Sequence, residues 1–355
     1  MIATRLVIAL CLSVAASTLA AQPNNRDEGE AFQAFLSDVR AEALERGITA
    51  ATLDAVLPTI ELHRRAVEQD RSQAEFVDTY ERYLRRVSPR RVEGGRALLD
   101  EHGEMIRGVA AGYGVQPRFI VAIIGLESDY GTYPIDEPLF DVLATLAYDD
   151  RRSAQFRREL LAAFELLEKG YATLDELKSS WAGGLGVAQF TPTNVLELGV
   201  DHDQDGRIDL WHIGPDVIGS VANYLRTTGW RADQTWGREV RVPDGGEDAL
   251  AVPPGDGLPP DAACRTYESL GPWHALADWQ ALGVRRADGA DLPARNLAAA
   301  FIAGDRGDGR GYVVYRNFCS LMQYNPAFRY ALAVGLLADA IAAAPARRGG
   351  PRRPG

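Results

Sequence analysis

Residues 117–128 read PRFIVAIIGLES, an apolar run opened by Pro117 and closed by Glu127 and Ser128. Periodicity alone does not separate a buried strand from a buried helix in such a run. Pro117 decides it, because proline suits the first position of a helix and the segments on either side also read as helices. On that helix the neighbours of Glu127 three and four residues away are Ile123, Ile124, Tyr130 and Gly131. Its own face therefore offers apolar contact and no cation. Burial without a compensating charge raises a carboxyl pKa, and an acid kept protonated near neutral pH can protonate a leaving oxygen. On this pattern alone, a glutamate that marks where a buried helix surfaces is the plainer reading.

Working outward, Ala31 to Arg46 carries Phe32, Phe35, Leu36, Val39, Ala43 and Leu44 at helical spacing, with Gly47 as a stop. Thr49–Leu57, a stretch around Tyr80–Val87, and Gly95–Tyr113 add helical patterns, with Pro58, Pro89 and the pair Gly94 and Gly95 as punctuation. Downstream, Ser153–Lys169 and Pro215–Thr227 also read as helices. Between Trp236 and Asp291 the texture changes to VRVPDGG, AVPPGDGLPP and VRRADGADLP, which reads as strands and loops. Helical character returns with YNPAFRYALAVGLLADAI, and the basic end APARRGGPRRPG has no means of burying a core.

Residues 1–21, MIATRLVIALCLSVAASTLAA, have the form of a secretory signal peptide: one cation at Arg5, a short apolar stretch, then small residues. Leu10 precedes Cys11 where a lipoprotein signal wants a small residue, so no membrane anchor is expected. Loss of Arg5 with this segment moves the net charge from -11 to -12. A chain this acidic is a poor partner for nucleic acid or an anionic membrane. The remaining cysteines, Cys264 and Cys319, allow one disulfide in an oxidising compartment or two buried thiols, and spacing does not choose between them. There is no nucleotide-binding glycine loop, zinc-type His and Cys cluster or serine-hydrolase elbow.

A glycosidase with two acids needs its second carboxylate about 5 Å away if retaining and farther if inverting. Asp129, the nearest in sequence, points away from Glu127 on a helix. If no other acid folds into range, the nucleophile must come from the substrate.

The ordered motifs IIGLESDYGTY, DRRSAQF, SSWAGGLGVAQFTPTNV, DHDQDGRIDLWH, IGSVANYLRTTGW and NFCSLMQYNPAFRYALAV resemble the membrane-bound lytic murein transglycosylase B family over nearly the whole of the chain that follows the expected signal peptide. The resemblance implies a mainly α fold with a lysozyme-like helical catalytic core, an N-terminal helical extension and a small strand-and-loop insertion. Its expected divisions are a signal peptide at 1–21, an N-terminal helical region at 22–95, a first part of the core at 96–235, the insertion at 236–298, the C-terminal part of the core at 299–345 and a disordered basic tail at 346–355. It also implies non-hydrolytic cleavage of the β-1,4 bond between N-acetylmuramic acid and N-acetylglucosamine. The muramoyl C6 hydroxyl attacks its own C1, giving a 1,6-anhydro end.

By the same resemblance Glu127 is the single catalytic acid and base, and Ser180, Gln189, Arg151, Arg152, Tyr224, Tyr324, Asn325 and Tyr330 bind substrate. The expected partners are peptidoglycan glycan strands and cell-wall synthesis proteins, in the periplasm. Two departures touch the sugar contacts: Gln155 stands where an aromatic is expected, and GVA precedes Gln189 where a tyrosine and a second glycine are usual. A hydrolase acting on the same bond, with Asp129 or Asp149 positioning water, and a non-catalytic peptidoglycan-binding protein are the rival readings.

DHDQDGRIDLWH is spaced like an EF-hand loop, with Asp201, Asp203, Asp205 and Asp209 at alternating positions, Arg207 at the seventh and Gly206 at the turn. His212 replaces the carboxylate that normally closes such a shell, so the expectation is a weak structural calcium site and no required cofactor.

Overall fold

The burial of one helix organises the molecule. In the computed structural model, which describes residues 25–70, 79–243, 259, 261–267, 270–304 and 309–343, helix α6 (Pro117–Ser128) is buried continuously from Phe119 to Leu126. A helix apolar on every side must be surrounded. The expected signal peptide and basic tail lie outside the described residues.

Ahead of α6 come α1 (Asn25–Glu45), α2 (Ala50–Val56), a single 3-10 turn at Leu57–Thr59, α3 (Arg64–Asp70), α4 (Tyr80–Leu84) and α5 (Pro89–Tyr113). After it come α7 (Leu139–Tyr148), α8 (Ser153–Glu168), α9 (Pro192–Leu198) and α10 (Pro215–Thr227). Near the end of the chain, α13 (Arg316–Tyr324) and α14 (Phe328–Ala342) complete the helical core. Both α5 and α14 pack on α6, α10 packs on α5, and α7 pairs with α8. Phe119, Ile120, Ile123 and Ile124 are fully buried, and each such side chain stabilises the fold by roughly 1.5–3 kcal/mol.

Most helix limits follow from local chemistry. Thr49 caps α2 by accepting from the Thr52 amide, and Pro192 and Pro215 open α9 and α10. The exception is α5, which starts at Pro89 behind a Ser88 cap and runs through Gly94 and Gly95 without a break. Those glycines do not punctuate the chain. A β-carbon on Gly94 would lie 2.7 Å from the Tyr130 ring, and one on Gly95 would lie 2.7 Å from the Tyr130 hydroxyl. They are small because an aromatic from another segment occupies their face, so the expected division at 95 falls inside a continuous helix.

The insertion forms a five-stranded antiparallel sheet in the order β4-β6-β7-β3-β5. Its strands are β3 (Gly237–Arg241), β4 (Trp273–Ala275), β5 (Arg285–Arg286), β6 (Ala298–Ala303) and β7 (Arg310–Val314), with α11 (Ala262–Arg265) and α12 (Leu276–Ala281) between them. The sheet thus continues through Val314, past the expected division at 298. The central strand is β7, paired with both β3 and β6, so the residues after 298 are needed to complete the sheet. Val240, Leu276, Trp279, Val284, Ala299 and Val313 form a second, smaller core there. A further strand pair, β1 (Glu137–Pro138) with β2 (Lys178–Ser179), lies in the helical part.

Cys264 and Cys319 are joined, tying α11 to α13 across 55 residues. Closing a loop of this length stabilises the fold by about 4 kcal/mol in the chain-entropy account. Arg316 reinforces the junction from a buried position through an ion pair with Asp261 and bonds to the Ser320 hydroxyl and the Thr228 carbonyl.

Candidate active site

Glu127 is half-buried in the last turn of α6. The chain leaves that helix through three successive left-handed residues, Asp129 (φ 50°), Tyr130 (φ 62°) and Gly131 (φ 83°). Only the glycine takes this conformation freely, so the surroundings must hold the other two. Two anchors do so. The Asp129 carboxylate meets Arg90 at 2.8 Å and Arg91 at 3.3 Å. The Tyr130 ring fills the α5 glycine groove, and its hydroxyl donates to the Arg91 carbonyl at 2.6 Å. Burial holds that phenol well above its ordinary pKa.

Facing this turn is the loop 180–190. The Ser180 amide donates to the Gly184 carbonyl at 2.9 Å, and the Gly184 amide donates to the Ser180 hydroxyl at 3.3 Å. A β-carbon on Gly184 would lie 2.4 Å from the Gln189 side-chain oxygen and 3.1 Å from the Ser180 hydroxyl, so both polar groups converge where only glycine fits. Gln189 is itself left-handed (φ 54°), and its side-chain amide donates to the Gly186 carbonyl at 3.0 Å. Val187, at the position where a tyrosine is usual, is buried and lies 3.2 Å from where a β-carbon on Gly131 would sit.

The tyrosines close the group. Tyr324 donates from its hydroxyl to the Ala188 carbonyl at 2.6 Å, next to Gln189, and Tyr224 donates to the Gln323 carbonyl at 2.7 Å. Their rings pack 4.7 Å apart, each edge-on to Phe190. Tyr330 stacks parallel to Tyr324 at 6.3 Å. Burial, and after it the Glu127 charge, hold the Tyr324 and Tyr330 phenols well above their ordinary pKa. The Tyr224 phenol is pushed up to about 12, chiefly by burial. The Tyr330 hydroxyl makes no well-formed hydrogen bond among the described residues, and the Glu127 carboxyl is its near neighbour. Two of the three phenols thus brace main chain, while Tyr330 is turned to the carboxyl.

Other expected residues sit differently. Asn325 ends α13, and its side-chain oxygen accepts from the Ala327 amide at 3.2 Å. Arg151 and Arg152 occupy the turn between α7 and α8. There Arg152 lies 4.8 Å over the Phe156 ring and donates to the Gln155 side-chain oxygen, so Gln155 orients the arginine. Asp129, the nearest alternative acid, is committed to Arg90 and Arg91, and Asp149 lines a separate cavity with Glu28, Leu62, Val67 and Tyr148.

Two contributors do not stand out in the sequence. Tyr83 is fully buried, and its phenol adds to the electrostatics of Tyr330. Asp216, in the first turn of α10 and 3% exposed, accepts from the His202 amide at 2.7 Å and the Asp209 amide at 2.9 Å. Tyr83 belongs to a short helix that looks like ordinary packing, and Asp216 lies beyond the apparent end of the acidic motif.

In that acidic loop, carboxylate oxygens of Asp201, Asp203 and Asp205 come within 4.8 Å of one another, and Gly206 takes φ 91°. Asp209 does not join them: it accepts from the Trp211 and His212 amides and pairs with the His212 ring at 2.9 Å. Arg207 sends its side chain to Glu176, which leaves only its main chain to serve the loop. Three oxygen donors at this spacing suit a hard cation such as calcium.

A helical core around a buried helix that ends in a half-buried glutamate is what this chain shares with solved lysozyme-like lytic transglycosylases. The chain belongs to the transglycosylase SLT domain family, whose model matches residues 31–339. It is 30% identical over 267 residues to membrane-bound lytic murein transglycosylase B of Escherichia coli K12, covering 73% of this chain and 66% of the relative. It thus spans about two thirds of that relative's length. Among solved structures, SltB3 of Pseudomonas aeruginosa in complex with NAG-anhNAM-pentapeptide superposes with a TM-score of 0.78 at 36% identity, over 88% of this chain and 79% of that one. Escherichia coli Slt35 in complex with calcium gives 0.68 at 25% identity, over 88% and 92%.

Proposed function

We propose that the chain is a lytic transglycosylase that cleaves peptidoglycan glycan strands between N-acetylmuramic acid and N-acetylglucosamine, leaving 1,6-anhydromuramoyl ends. The observation that carries this reading is the division of labour at the end of α6. Asp129 is neutralised by two arginines, and Glu127 lies beside the Tyr324 and Tyr330 phenols. A carboxyl in such surroundings can give a proton to the glycosidic oxygen. As a carboxylate it then takes the proton of the muramoyl C6 hydroxyl as that oxygen attacks C1. Reacting groups within one sugar are already held together, so no second acid is needed to position water.

Ser180 and Gln189 offer polar groups to the N-acetyl and hydroxyl substituents, Tyr330 steadies Glu127, and Tyr224 and Tyr324 fix the wall behind them. Arg151 and Arg152 meet lactyl or stem-peptide carboxylates, and Asn325 adds a polar contact at the end of α13. SltB3 is a relative solved with NAG-anhNAM-pentapeptide and with NAG-NAM-pentapeptide, which supports a glycan-strand substrate here. The acidic loop would hold calcium through Asp201, Asp203 and Asp205, a structural ion tying the loop beside Gln189 and Tyr224, as Slt35 was solved with calcium. With an export signal at 1–21, the enzyme works in the periplasm, alongside cell-wall synthesis proteins. The test is a digest of purified sacculi: released fragments lighter by one water than hydrolytic products support the reading, and reducing-end products refute it.

A further inference from the structure

Large apolar side chains are exposed at only three places among the described residues, Leu44, Leu174 and Tyr133, and Tyr133 is both the most exposed, at 47%, and the one beside Glu127. Its main-chain amide donates to the Ser128 carbonyl at 3.0 Å, which seats it against the helix turn that carries Glu127. Its hydroxyl accepts from the buried Arg91 guanidinium at 2.7 Å. Arg91 is fixed in turn, by Asp129 and by donation to the Arg86 carbonyl at 2.8 Å, and the Arg86 guanidinium covers the Tyr83 ring at 4.5 Å. Contacts therefore run from this exposed ring through Arg91 to Asp129, in the turn that follows Glu127.

An aromatic left in water costs hydrophobic free energy, and a mobile one also loses rotamer freedom when it binds. Tyr133 is exposed yet held at both ends, so its ring is presented at little further entropic cost. We propose that Tyr133 is a stacking platform for one pyranose ring of the glycan strand, a substrate subsite beside the turn that follows Glu127; this rests on the lytic transglycosylase reading. The apolar C–H face of a sugar suits an aromatic face, and Arg91 sets the ring's position without touching substrate.

The test uses the full chain carrying Glu127→Gln and, as probe, glycan strands freed of stem peptides, with binding read by calorimetry. Tyr133→Phe should bind within about threefold of its parent, whereas Tyr133→Leu and Tyr133→Ala should bind about tenfold more weakly, the loss of one stacked ring. In the active background the same loss should fall on KM rather than kcat. Alanine binding within twofold of the parent would overturn the proposal. So would phenylalanine as weak as alanine, because the Arg91 bond rather than the ring would then matter. Absence of anhydro ends from the unsubstituted chain would overturn this proposal together with the reading beneath it, whereas the two binding outcomes overturn this one alone.

Discussion

The end of α6 and the acidic loop at 201–216 both gather carboxyl groups at turns with left-handed residues, and they treat those groups in opposite ways. At α6, Asp129 is bound by arginines and Glu127 is placed among phenols. In the loop, Asp201, Asp203 and Asp205 lie together near the surface and accept main-chain amides, such as those of Asp205 and Gly206. A carboxyl in aromatic surroundings is suited to exchanging a proton, whereas clustered exposed carboxylates are suited to staying charged and shaping a loop. The residue type is shared, and its surroundings separate chemistry from architecture.

The sharpest way to break this comparison is to neutralise one acid from each region and measure glycan release from sacculi. Glu127→Gln should lower turnover by about 10³-fold or more, within the range for losing a general acid and base, with the melting temperature preserved. Asp203→Asn should lower it less than about fivefold, because a structural loop site contributes through packing rather than chemistry. Comparable losses in both would erase the distinction.

Next in size is the packing that holds the α6 turn. A β-carbon on Gly125 would lie 2.5 Å from the Tyr130 hydroxyl. Gly125→Ala should therefore destabilise by roughly 1–3 kcal/mol through overpacking, although alanine is the better helix former by about 1 kcal/mol. Urea denaturation reads the sign directly, and a stabilised variant would mean that Tyr130 does not wedge the turn.

For the loop, calcium at a concentration of about 100 Kd should stabilise the protein by roughly 2.7 kcal/mol if the ion binds only the folded state. Asp203→Asn should abolish the corresponding rise in melting temperature. No rise for the unsubstituted chain in millimolar calcium would remove the metal from the account.

The smallest effect concerns Glu176, whose pKa falls from 4.5 to about 2, first through its bonds to the Thr173 side chain and amide and then through Arg207. A depressed folded pKa gives stability that is present above the unfolded value and lost as pH falls. Glu176→Gln should therefore flatten the acid limb of the stability curve between about pH 4.5 and 2. The change should be slight, because the pair is exposed and screened. An unaltered limb would show that this contact does not steady the loop.

Much of the helical core was legible because its signals are local. Pro117 and the apolar run define α6, and α10 spans the expected Pro215–Thr227. What escaped depends on distant partners. Gly94 and Gly95 read as breaks until Tyr130, far along the chain, is seen to fill their face. The pairing of β7 with β3 crosses the whole insertion, so strand continuity to Val314 has no local mark. The cysteine pair could be read either way until α11 and α13 met. At the site, the motif brings Glu127, Ser180, Gln189 and the tyrosines to notice. That Tyr224 and Tyr324 brace main chain, or that Asp216 secures the acidic loop from α10, follows only from the folded geometry.

The most direct measurement is digestion of sacculi in water enriched in oxygen-18, followed by mass analysis of the new muramoyl ends. With one carboxyl and an internal nucleophile, those ends should be anhydro sugars that carry no heavy oxygen. Heavy oxygen at C1 of the muramoyl ends would show water attacking there, and would contradict the proposed role of Glu127.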